Sequence, residues 1–86
     1  MKPLKKLGYV CIGMVITDIN GVELTVTDII IPSTNTSVGR AVIPKNNDLV
    51  LQLDSKQYLS TDIGWRNLDN RILVKNWRDF TPPINN

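Results

Sequence analysis

Apolar and polar positions alternate along much of this chain with the period of a strand. Leu49, Leu51 and Leu53 fall on one face of a short run, with Val50 and Gln52 on the other, the pattern of a half-buried strand. Two longer runs, LGYVCIGMVIT (7–17) and VELTVTDIII (22–31), flank Asp18-Ile19-Asn20-Gly21. That tetrapeptide suits a type I turn followed by a left-handed glycine, with Asp first, Asn third and Gly where φ must be positive. A three-residue loop at 19–21 sets Ile16 opposite Leu24, Met14 opposite Val26 and Val10 opposite Ile30. On the other face it sets Thr17 opposite Glu23, Val15 opposite Thr25 and Gly13 opposite Thr27. The first face is then apolar apart from an Ile12/Asp28 pair. A two-residue Asn20-Gly21 turn would place Asp18 against Glu23 and mix the faces.

Weaker signals follow. Ile29 to Ile31 ends at Pro32, and Ser33 to Gly39 reads as a polar surface loop. Arg40 to Ile43 is a short strand stopped by Pro44, and Lys45 to Asp48 is a turn. Ser60-Thr61-Asp62 suits the start of a helical turn or two with Trp65, Leu68 and Ile72 on one side, which Gly64, Asn67 and Asn70 oppose. Residues 71–77 (RILVKNW) return to strand, and 80–86, carrying Pro82-Pro83, form an extended tail. The expectation is a single all-β domain over 1–86. Its architecture is a small antiparallel barrel or sandwich of about five strands, SH3-like or OB-like in size, with at most one short helical turn.

Composition points the same way: ten Ile, eight Val and seven Thr stand against one Ala and one Glu, favouring sheet over helix. At 86 residues the chain has room for one modest core. Lys2, Lys5 and Lys6 ahead of Leu7–Ile16 resemble an export signal. However, no small-residue cleavage site follows, and the run is short of the ~20 residues that span a bilayer. The stretch is therefore read as a strand, and the protein as cytoplasmic with no membrane partner. Nine Asn and ten Ile with a single Ala suggest an AT-rich source such as a phage or mobile element.

Ordinary catalytic chemistry finds little to work with. The chain has no histidine and one cysteine, Cys11, which removes Ser-His and Cys-His nucleophiles, an intrachain disulfide and a cysteine metal cluster. Neither the lysines nor the five dispersed glycines stand in a phosphate-cradling motif. Asp18, Glu23, Asp28, Asp62, Asp69 and Asp79 lack the spacing of a calcium loop and read as edge and turn residues. The expectation is a protein that is not an enzyme and takes no cofactor or metal.

Net charge is +2, too small to imply nucleic acid by itself. It is unevenly spread, with three lysines in residues 1–6, three acids in 7–31 and a weakly basic stretch over 65–80. That last stretch also carries an echo: Gly64-Trp65-Arg66-Asn67 and Asn76-Trp77-Arg78-Asp79, the second followed by Phe80. Trp, Tyr and Arg are enriched where proteins bind proteins, because a rigid ring excludes water around a guanidinium. The leading expectation is a protein-binding module, an inhibitor, adaptor or assembly component, using Trp65, Arg66, Trp77, Arg78 and Phe80 with Tyr58 flanking. A second is a single-stranded RNA or DNA binder that stacks bases on the indoles and tracks phosphates with Arg66, Arg71, Lys75 and Arg78. A third is a homo-oligomeric structural protein joined through uncovered strand edges. Against all three stands the plain alternative that both indoles are core and both arginines merely solvated.

Overall fold

The Asp18–Gly21 turn forms as its residues dictate. In the computed structural model, which describes residues 1–45, 48–60 and 67–82, the Gly21 N–H donates to the Asp18 carbonyl and the Asp18 N–H to the Val22 carbonyl, both at 3.0 Å. The Asp18 carboxylate accepts the N–H groups of Asn20 at 2.8 Å and Val22 at 3.0 Å, and Gly21 sits at φ +82°. The flanking strands pair as Val15↔Thr25, Ile16↔Leu24 and Thr17↔Glu23, which is the three-residue-loop register.

The fold is all-β, and every strand pairing is antiparallel. In chain order the elements are β1 (Lys2–Pro3), α1 (Leu4–Leu7, one helical turn), β2 (Tyr9–Cys11), β3 (Val15–Thr17), β4 (Glu23–Ile31), β5 (Thr36–Val38), β6 (Arg40–Val42), β7 (Val50–Leu53), β8 (Tyr58–Ser60), β9 (Leu73–Val74) and a 3-10 turn at Trp77–Asp79. One sheet runs β1-β9-β3-β4-β7-β8, and β2 and β6 form a separate ribbon. Ile29 pairs with Leu51 of β7 on one side and Val38 of β5 on the other, so β5 continues the line of β3 along β4. Among the described residues the end strands β1 and β8 do not pair, so the sheet does not close into a barrel. No described helix is long and apolar enough to cross a membrane.

Two irregularities overturn parts of the sequence register. The first is at Gly13. Its N–H donates to the Val26 carbonyl while the Val26 N–H donates to the Met14 carbonyl, both at 2.9 Å, so residues 13 and 14 stand opposite one partner. This is a β-bulge with glycine in the left-handed region, φ +94°. The strand expected to run from 7 to 17 breaks there. Val10 pairs with Ala41 instead of Ile30, and Gly13 does not face Thr27.

The second bulge lies on β4 at Thr27, between the pairs Val26↔Leu53 and Asp28↔Gln52. One extra residue flips the side-chain alternation. Leu24 and Val26 are buried, and then Ile29 takes the core face that the unbroken pattern assigned to Ile30. Asp28 accepts the Ser37 hydroxyl at 3.3 Å and the Ile29 N–H at 2.9 Å, and the expected Ile12/Asp28 pair is absent.

Other expectations are corrected by pairing. The polar loop of 33–39 is reduced to a turn at 32–35 with Asn35 at φ +51°, because Thr36–Val38 pairs with β4. The strand expected over 71–77 is only Leu73–Val74, and Trp77 opens the 3-10 turn. A hairpin at Leu53–Gln57 leads into β8, which the sequence left unassigned; Lys56 supplies its left-handed residue at φ +62°. The helical turn expected after Ser60 and the middle of the Lys45–Asp48 turn lie outside the described residues.

The core gathers Leu4, Val10, Met14, Ile16, Val26, Ile29, Ile43, Leu49, Leu51 and Val74, all essentially inaccessible. Each such side chain stabilises the fold by roughly 1.5–3 kcal/mol relative to exposure. Thr17 is buried too, and its hydroxyl accepts the Leu73 N–H at 3.3 Å. The Leu4 N–H donates to the Ile72 carbonyl, which ties α1 to the base of β9.

Candidate functional site

The bulge at Gly13 organises the surface that carries Trp77. Strand β9 ends at Val74, but β3 continues to need partners along that edge. Lys75 supplies the first, its N–H donating to the Val15 carbonyl at 2.8 Å. Asn76 supplies the next two from its side chain: Oδ1 accepts the Val15 N–H at 2.8 Å and Nδ2 donates to the Gly13 carbonyl at 3.1 Å. An amide offers both an acceptor and donors, so one residue replaces a strand neighbour. The Asp79 N–H then donates to the Asn76 carbonyl at 3.0 Å and the Phe80 N–H to the Trp77 carbonyl at 3.3 Å, which shapes the 3-10 turn.

Phe80 ends the turn with its ring over Gly13, within van der Waals reach of where a Cβ would stand, and it packs against the core. The Tyr9 hydroxyl reaches toward the Phe80 carbonyl at 3.5 Å, a long contact that adds little. Trp77 is half-buried and also packs against the core. Lys2 Nζ stands 4.3 Å from its ring centroid, brought there because β1 pairs with β9. Arg78 Cζ stands 5.1 Å from the same centroid, and Arg78 is exposed. Both distances are those of cation–π contacts.

A shallow cleft of about 410 Å³ adjoins this turn, lined by Cys11, Ile12, Gly39, Arg40, Asp79, Phe80 and Thr81. Ile12 is 42% exposed, an apolar side chain presented where the bulge turns the chain outward. Burial raises the Cys11 thiol above its ordinary value, partly offset by the charge of Arg40, so it is a poor nucleophile near neutral pH. Among the described residues no three acidic or cysteine side chains converge as metal ligands.

The site residues expected from sequence separate accordingly. Trp77, Arg78 and Phe80 are brought together on one anchored turn. Trp65 and Arg66 lie outside the described residues. Tyr58, 64% exposed, stands on β8 and lines a different hollow of about 80 Å³ with Leu24, Leu53, Leu59 and Ile72. Arg71 forks onto the Asp69 carboxylate at 3.1 and 2.8 Å, whose hydrogen bonds lower Asp69 to about 2. Lys75 pairs with Glu23 at 2.8 Å.

Sequence reading passed over Lys2, Ile12, Arg40 and Asn76. The lone glycine inside an apolar run was a signal for the bulge, and from it the exposure of Ile12 follows. Nothing in the sequence announces Lys2 or Asn76. Comparison with protein-family models, with curated proteins and with solved structures finds no match to this chain, so the functional reading rests on the surface itself.

Proposed function

We propose that this chain is a small protein-binding module that acts by occupying a partner's surface, as an inhibitor, adaptor or assembly component, without catalysis. The observation that carries this reading is the turn Asn76–Phe80, fixed to the Gly13 bulge by side-chain hydrogen bonds. It presents Trp77 and Arg78 beside a cleft walled by Ile12 and Phe80. Rigid aromatic anchors next to arginine, on elements that lose little freedom on binding, are the chemistry of interface hot spots. The nucleic-acid alternative is weakened because Arg71 and Lys75, two of its phosphate contacts, each engage a carboxylate of this same chain. A lone buried cysteine suits a reducing cytoplasm, and the Asn- and Ile-rich composition suits a phage or mobile-element origin.

The test uses the chain as bait in cell extract, with Ile12→Asp as the paired variant. Ile12 is exposed, so the variant should fold, which a circular dichroism spectrum verifies. A partner held by the wild type and lost from Ile12→Asp supports the reading. Equal retention by both, or no partner, removes this cleft as the binding surface.

A further inference from the structure

The charges around Trp77 point to the chemistry of the partner. Lys2 and Arg78 lie over one indole, and Arg40 lines the adjoining cleft. Among the described residues none of the three makes an ion pair, whereas Arg71 and Lys75 both do. Within the cleft Arg40 and Asp79 balance in charge, so the excess of positive charge at this surface comes from Lys2 and Arg78 at the indole. A cation–π contact orients a cation without neutralising it. The ammonium of Lys2 and the guanidinium of Arg78 therefore keep their donors available for an incoming acceptor, already held in place by the ring.

Resting on the protein-binding reading, we propose that this surface recognises an acidic segment of its partner, with Asp or Glu carboxylates taken up by Lys2 and Arg78 around the edge of Trp77 and by Arg40 in the adjoining cleft. Carboxylates are favoured over nucleobases by the state of the ring. A base needs an open aromatic face to stack on. The indole of Trp77 is half-buried against the core with Lys2 at 4.3 Å and Arg78 at 5.1 Å from its centroid, and Phe80 lies over Gly13. The rings at this surface serve the cations and the bulge. Arginine meets a carboxylate with two parallel hydrogen bonds, and a flanking lysine adds charge of the same sign.

The experiment titrates isotope-labelled protein with three probes: a short peptide rich in Asp and Glu, the same peptide with every acid replaced by its amide, and mixed-sequence single-stranded RNA. Amide chemical shifts are followed at low and at physiological salt. The acidic peptide is expected to shift residues 76–81 and Lys2, with affinity falling as salt rises, while the amide peptide shifts nothing. Arg78→Gln and Lys2→Gln should each weaken the acidic peptide by about tenfold, the loss of one charge-assisted contact. No shift with the acidic peptide, equal binding of the amide peptide, unaltered affinity in both variants, or preference for RNA would each overturn the proposal. Its failure is separable from that of the reading beneath it. A partner captured from extract that is lost from Ile12→Asp but held undiminished by Arg78→Gln keeps the protein-binding module and removes the acidic segment.

Discussion

Four cations near β9 end in two different ways. Arg71 and Lys75 bracket the strand, and each reaches a carboxylate of the same chain, Asp69 and Glu23. Lys2, on the neighbouring strand β1, and Arg78, just beyond Lys75, reach the indole of Trp77 instead. In stability the two arrangements are nearly equivalent. An exposed ion pair contributes about 0–1 kcal/mol, and an exposed cation–π contact about 0.5–1 kcal/mol. In their effect on the surface field they are opposites, because a carboxylate cancels the charge it orients and a ring does not. Among the described residues, two of these four cations are thus silenced by a carboxylate and two are presented on a ring. Which residues a sequence places near a cation matters more here than how many cations it has.

The comparison breaks most severely where the ring itself loses its footing. Asn76→Ala removes two hydrogen bonds and leaves the Val15 N–H and the Gly13 carbonyl to find other partners. A loss of roughly 1–3 kcal/mol is expected from one part-buried and one exposed bond, read by urea denaturation. The amide signals of Trp77 to Phe80 should also broaden or move. A loss under about 0.5 kcal/mol, with those signals unmoved, would mean that Trp77 and Phe80 hold the turn by packing alone.

A smaller break acts from the other side of the same contact. Gly13 stands at φ +94°, where an L side chain costs roughly 1–2 kcal/mol. The space above it is adequate, since a Cβ would meet Phe80 at 3.7 Å. Gly13→Ala should therefore lower the melting temperature by about 5–15 °C in a domain of this size, through the backbone and not through collision with Phe80. An unchanged melting temperature would show that the bulge relaxes into an ordinary strand, and Phe80 should then be displaced.

Legibility in the sequence follows the same division between local and distant causes. Two hairpins use one loop geometry: the fourth residue donates to the carbonyl of the first, and a left-handed residue precedes the returning strand. In the first, Asp18 to Gly21, the first, third and fourth positions have the residue types the geometry prefers, and both turn and register could be read from four letters. In the second, Leu53 to Lys56, a lysine occupies the left-handed position at φ +62°. Asp54 and Ser55 are turn residues, but no Gly or Asn marks the left-handed position, so neither the loop length nor β8 was legible. Likewise Thr36–Val38 is polar enough to resemble a loop, and only its pairing with Ile29–Ile31 makes it a strand. For the site, Trp77, Arg78 and Phe80 were visible by residue type. Asn76 was not, because its role depends on a carbonyl 63 residues away exposed by a bulge.

The gentlest probe of the comparison is acid, followed at the Arg71–Asp69 pair. Arg71 donates to the Asp69 carboxylate through its side chain and its backbone N–H, which lowers Asp69 to about 2 from an ordinary 3.8. A carboxyl with a depressed folded value stabilises the fold above its unfolded value, and that contribution disappears as pH falls through the folded one. Wild type and Asp69→Asn should therefore differ most in melting temperature above pH 4, with wild type the higher, and should converge as pH falls toward 2. Because the pair is solvent-exposed the gap will be small, and it should shrink further with added salt. Charge presented on the indole predicts a contrasting result. Removing the Arg78 side-chain charge should leave that acid profile unchanged in shape, since among the described residues no carboxylate forms an ion pair with it. If Arg78→Gln instead flattens the profile between pH 4 and 2 as Asp69→Asn does, Arg78 has an acidic partner within the chain, and its charge is silenced like that of Arg71.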